Sequence, residues 1–225
     1  MKILLNFLLV IVSTLSFCQN VGAVETLMAQ IHALEPIIGG FPPNIKNEKE
    51  ADKVKKRYAE IKSELDTLLH AHADDQDLLF MRGLLQSMGH NFDYPGAFQG
   101  STDDFTTLLK INPAQVQAQV ELANLWVNSD KNLAPEAEKL FRGAQCYTGS
   151  EPLEDAQRGI FFALYYQGNV EEALRQSEYL MQTWPENAQY KDFNKMTLSV
   201  LARSNMKADT KTSAPIKLAM ATCNK

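Results

Sequence analysis

The feature that most constrains this chain is a spacing that occurs twice. The stretch "APEAEKLFRGA" places Ala137, Phe141 and Ala144 at offsets of zero, four and seven, and Ala173, Ser177 and Leu180 take the same offsets 36 residues later. Such offsets put three side chains on one face of a helix, and a small leading residue lets a second backbone come close. Another helix-like segment precedes each copy, with Leu122, Ala123 and Trp126 in one and Ile160, Phe161 and Leu164 in the next. An earlier copy carries Gly83, then Phe105 and Leu108 ahead of Pro113. A recurring pair of helices cannot bury its apolar face alone, so such units are expected to stack on one another.

The remaining segments also read as helix. "VETLMAQIHALE" carries Leu27, Ile31 and Leu34 on one face, and "IIGGFPPN" then breaks the chain. From about Glu48 to Leu69 a polar helix follows, with an apolar seam at Val54, Tyr58, Ile61, Leu65 and Leu68. Packing against neighbouring helices is favoured over a coiled coil, which needs more heptads. Its "KVKKR", Lys53 to Arg57, is read as a solvated face among Glu48, Glu50, Glu60 and Glu64. Gly168 is expected to end a helix in the left-handed conformation, and Pro95 and Pro135 suit first helical turns. After Pro185, "AQYKDFNKMTLSVLARS" offers Tyr190, Phe193, Met196 and Val200 as one face of an end-covering helix.

Gly168, Ala173 and Pro185, with the small and aromatic positions above, resemble the tetratricopeptide repeat, a 34-residue unit of two antiparallel helices. Departures are Phe161 at a usually small position, the insertion "HNFDYPGAFQGST", the long turn "NSDKNLAP", and Gly149 in place of a closing proline. The resemblance implies an all-α, right-handed solenoid of about three helix pairs. The expected organisation is a signal peptide over 1–23, an N-terminal helical hairpin over 24–73, repeats over 74–188, a capping helix over 189–204 and a flexible tail over 205–225. A weaker likeness, through "ELANLWVNSDKNLAPEAEKLFRGA" and "QGNVEEALRQSEYLMQTWPENA", is to the periplasmic repeat domains of cytochrome c maturation factors.

Export is expected from Lys2, the apolar run "ILLNFLLVIVSTLSF" and the small residues Val21 and Ala23, with cleavage after Ala23. Rival readings are an uncleaved anchor, for which the run is short, and lipidation at Cys18, for which Phe17 is too large. The chain would then be periplasmic in a Gram-negative bacterium and secreted otherwise. No other segment is apolar enough to insert stably in a membrane. The net charge of −5 lacks the concentrated basic face that nucleic acid requires. Cys146 and Cys223 remain after cleavage, and a bond between them is one reading; inert or intermolecular thiols are the others.

Catalytic patterns are weak. In "HAHADD", His70 and Asp74 share a helical face whereas His72 points about 200° away, so the two imidazoles cannot chelate one ion unless the segment is a loop. Histidines near a helix C-terminus are favoured by its dipole. No nucleophile elbow, zinc-protease helix, phosphate loop or haem-attachment motif is present. The chain is therefore expected to be no enzyme, to need no metal or cofactor, and to bind a protein or peptide client, as an assembly or chaperone adaptor. An apocytochrome-binding factor or a metal-dependent enzyme is the alternative. The resemblance places groove positions at Phe80 and Leu84, Asn124 and Asn128, and Arg158, Phe162, Tyr165 and Tyr166, with Asp77, Ser87, Gln117 and Val120 beside them. Aromatics there offer contact area, and Asn and Arg can hold backbone or carboxylate groups. For Phe162 and Tyr165 a place in the core is the competing reading.

Overall fold

The computed structural model describes residues 24–203. The expected signal segment with Cys18, and the expected tail with Cys223, lie outside them. The described chain is all helical: α1 (24–32), α2 (Glu35–Ile38), α3 (Glu48–Ala71), α4 (Gln76–Asn91), α5 (Ala97–Ile111), α6 (Val116–Ser129), α7 (Ala134–Thr148), α8 (Glu154–Tyr166), α9 (Val170–Thr183) and α10 (Gln189–Arg203), with a 3-10 turn at Lys131–Leu133 before α7. No strand occurs among the described residues. They form two compact units, divided in sequence between Ile111 and Asn112.

In the first unit α4 packs on α2, α3 and α5. Leu27, Ile31, Leu34 and Ile38 are buried, as are Val54, Tyr58, Ile61, Leu65 and Leu69 of α3. The seam of α3 thus closes on Leu69, and Leu68 is only half-buried. The last step is four residues, as a straight 3.6-residue helix requires, instead of the three that a coiled-coil seam would take. Gly83 of α4 exists because α5 lies so close: a Cβ there would sit 2.9 Å from the Phe105 ring. Ser101 hydroxyl donates to Gly83 carbonyl at 2.8 Å, so the crossing of α4 and α5 buries no unpaired hydroxyl.

An ionic cluster ties three helices of this unit. The Arg82 guanidinium of α4 grips Asp104 of α5 with Nε (2.9 Å) and Nη2 (2.6 Å), and reaches Asp66 of α3 with Nη1 (2.9 Å). Lys62 also bonds Asp66, at 2.8 Å, and Gln86 donates to Asp104 at 2.7 Å. Burial pushes the Asp104 carboxyl up, and Arg82 pulls against it. At Asp66 burial also pushes up, but the hydrogen bonds from Lys62 and Arg82 prevail and hold that carboxyl below its ordinary range.

In the second unit α6 packs on α7, α7 on α8, α8 on α9 and α9 on α10, while α6 also lies against α8. Ala137, Phe141 and Ala144, and likewise Ala173, Ser177 and Leu180, are all wholly buried. Full burial of a phenylalanine such as Phe141 contributes roughly 1.5–3 kcal/mol. Pro135 lies in the first turn of α7, where its missing N–H costs nothing. Pro95 does not do this for α5: it falls in the preceding turn, and left-handed Gly96 separates it from the helix. Gly168 has φ of 80°, with its N–H bonded to Tyr165 carbonyl and the Asn169 N–H to Leu164 carbonyl. That pair of bonds is a Schellman ending. The same pair forms after α4, where Asp93 takes the left-handed position.

On α10 the buried face is Tyr190, Phe193, Thr197 and Leu201. Met196 is exposed and Val200 half-buried, contrary to the expected face. Here too the helix buries the residue four positions on where three was expected.

Candidate functional site

The eight expected groove residues divide between the units. Phe80 and Leu84 of α4 belong to the first, where both are half-buried; the Phe80 ring meets Phe105 edge-on at 5.9 Å. Asp77 is exposed and Ser87 half-buried, so these four form the accessible side of α4. The other six lie on α6 and α8 of the second unit, which pack together. Asn124 is half-buried and Asn128 exposed. Val120, expected beside them, is instead 6% exposed and part of the apolar core.

On α8, Arg158, Phe162 and Tyr165 are half-buried and Tyr166 is 42% exposed. Phe162 and Tyr165 pack against the core with one side and remain accessible with the other. Their rings are fixed by neighbours. Phe162 meets Phe193 of α10 edge-on at 5.0 Å, Tyr166 stacks on Phe162 at 6.3 Å, and Tyr165 meets Tyr166 at 5.9 Å. Beneath them Phe161 stacks on Phe193 at 4.7 Å and is wholly buried. Phe161 therefore replaces a small residue without overpacking, because α10 supplies a flat ring for it to lie on. Phe193 then continues to Tyr190, Trp184 and Tyr179. Phe193 was legible only as an apolar face of α10; its role as the support of the α8 rings was not.

Arg158 is engaged within its own helix: Nη2 bonds Asp155 Oδ1 at 2.6 Å. Beside it Glu154 accepts from the Tyr190 hydroxyl at 2.5 Å and from Asn187 at 3.1 Å. Burial, and then the Glu154 carboxylate, push the Tyr190 phenol up to about 12.

The start of α8 is set by a chain of buried glutamines. Gln176 of α9 donates to the Gln157 Oε1 at 2.9 Å, and Gln157 donates to the Gln145 Oε1 at 2.8 Å. The same oxygen of Gln145 accepts the Leu153 N–H at 2.9 Å, and its Nε2 donates to the Glu151 carbonyl at 2.9 Å and the Gly149 carbonyl at 3.3 Å. One side chain of α7 thereby holds the whole turn into α8. This is how the turn does without the proline that the repeat pattern puts at Gly149.

His70 lies in the last turn of α3, His72 is its C-cap, and Asp75 caps α4 by accepting from the N–H groups of Asp77 and Leu78. Among the described residues no group of three or more His, Cys, Asp or Glu is placed to hold a metal. Cys146, in the last turn of α7, is disulfide-bonded. No described helix is long and apolar enough to cross a membrane.

Compared with protein-family models, with curated proteins and with solved structures, the chain matches none. Its own geometry defines it as an all-helical protein with an aromatic shelf on α8.

Proposed function

We propose that this protein is an exported scaffold of tetratricopeptide-like repeats that holds a protein or peptide client and performs no chemistry of its own. In this reading the helix pairs α4–α5, α6–α7 and α8–α9 are the repeats of a right-handed solenoid. Helices α1 to α3 form its N-terminal part, and α10 is its cap. The succession of packing in the second unit supports this, since each helix lies on the next and α6 lies on α8, as repeat stacking requires. An adaptor for assembly or folding in the periplasm or outside the cell is the role that suits the expected export.

The observation that carries the client reading is the shelf itself. Phe162, Tyr165 and Tyr166 are accessible but locked by stacking. Rigid aromatics lose little entropy on binding and are frequent anchors of interfaces. The test is capture of clients from the exporting compartment with the wild-type chain and with Tyr166→Ala/Asn128→Ala, two positions on the solvent side. Binding of the recovered client should weaken by roughly 1–3 kcal/mol in the variant while its circular dichroism stays unchanged. Equal binding by both proteins would remove the shelf from the interface.

A further inference from the structure

We propose, building on the client-binding reading above, that the α6–α8 face takes an internal, uncharged peptide segment bearing aromatic side chains, and not a chain end with a free carboxylate. Among the six expected contact residues Arg158 is the one cation, and it is already spent. Its guanidinium lies 2.6 Å from Asp155, three residues earlier on the same helix. Glu154, four residues before Arg158 on the same helix, adds a second carboxylate to the first turn of α8 and accepts from Tyr190 and Asn187. The start of α8 thus carries two carboxylates beside one guanidinium, one of them bonded to it.

An incoming carboxylate would have to share Arg158 with Asp155, which already holds one of its nitrogens. Glu154 and Asp155 would both repel the newcomer at distances well inside the screening length of about 8 Å at physiological salt. The two resident carboxylates therefore offset the attraction that Arg158 alone would exert. Neutral groups are offered instead. The carboxamides of Asn124 and Asn128 and the hydroxyls of Tyr165 and Tyr166 have no hydrogen-bond partner within the described chain. A carboxamide carries two donors and an acceptor, which match the carbonyls and N–H groups of an extended main chain. The rings of Phe162 and Tyr166 provide faces on which aromatic side chains pack in offset or edge-on contact. The uncharged contact residues thus offer main-chain hydrogen bonding and ring packing, and the one cation among the six is already paired.

The experiment uses the full chain on arrays of random dodecapeptides made in two forms, one with a free C-terminal carboxylate and one with the C-terminus blocked as the amide. Sequences enriched in Tyr, Phe and Trp and poor in Asp and Glu should be bound equally in both forms. Their affinity should fall by about tenfold or more with Tyr166→Ala, change by less than about threefold with Arg158→Gln, and hold when salt is raised. Binding confined to free-carboxylate or acidic peptides, or abolished by Arg158→Gln with the fold intact, overturns this inference while leaving client binding in place. No peptide bound above the Tyr166→Ala control on either array would overturn the client-binding reading, and this inference with it.

Discussion

Gln145 shows how much one buried polar side chain can organise. It is 2% exposed, and its carboxamide is bonded on both ends, to the Leu153 N–H and Gln157 on one side and to the 149–151 carbonyls on the other. Replacing it with leucine strands the Gln157 carboxamide and the Leu153 N–H, whereas the carbonyls of Gly149 and Glu151 belong to exposed residues and can turn to water. Unfolding by urea should show Gln145→Leu to be destabilised by about 2 kcal/mol or more, since each buried group left unpaired costs roughly 1–3 kcal/mol. Tyr190 makes a second residue-scale case. Its phenol titrates at about 12 when folded, against 10.0 ordinarily. Between those values the unfolded chain has released the proton and the folded chain has not, so stability is fully present below pH 10 and falls as pH rises towards 12. Tyr190→Phe should lose some stability at neutral pH, because Glu154 loses its donor, but decline less steeply across that window in pH-dependent thermal melts.

At the scale of helices, the offsets of zero, four and seven mark where two helices cross. Ala173 leads one such set and is wholly buried. Ala173→Leu should lower stability by roughly 1–3 kcal/mol through overpacking, read as a fall in melting temperature; an unchanged melt would refute the assigned register. The earlier copy, legible at Phe105 and Leu108, repeats the offsets in full from Ser101, 36 residues before Ala137, Phe141 and Ala144. All three are buried. Its leading position was the illegible one, because serine is usually a surface residue; it is tolerated here because the Gly83 carbonyl accepts its hydroxyl. The shifted faces of α3 and α10 share another cause. Where apolar residues are adjacent, as Leu68 and Leu69 or Val200 and Leu201 are, composition gives no preference and the accumulated 100° turn per residue decides which one is buried; at Met196 and Thr197 that turn overrides composition, and the Thr197 hydroxyl donates to the Phe193 carbonyl. Helix identity and small crossing positions were thus legible, whereas the glutamine chain and the Arg82 cluster were not. Gln, Arg and Asp read as solvent-facing until a partner on another helix is known.

For the molecule as a whole, the cysteines provide the most direct test of chemistry and compartment together. Cys146 is disulfide-bonded, and the chain has three cysteines. If export removes the segment holding Cys18, a bond within one mature chain must join Cys146 to Cys223. Peptide mapping of the purified mature protein without reductant should recover that linked peptide; two alkylated free thiols would rule the bond out. In the loop-entropy account, closing so long a loop stabilises the fold by about 4 kcal/mol, so reductant should lower the melting temperature.

The packing of each unit also bears on speed. Among the described residues from α2 to α10, every close helix pair joins elements that are consecutive or next but one along the chain. Each contact therefore closes a short loop, and little chain entropy is lost before the contact stabilises anything. Low contact order of this kind places folding in the microsecond-to-millisecond range typical of helical bundles. A chain that has to cross a membrane before it folds would then have only a brief interval in which its aromatic residues lie open to aggregation.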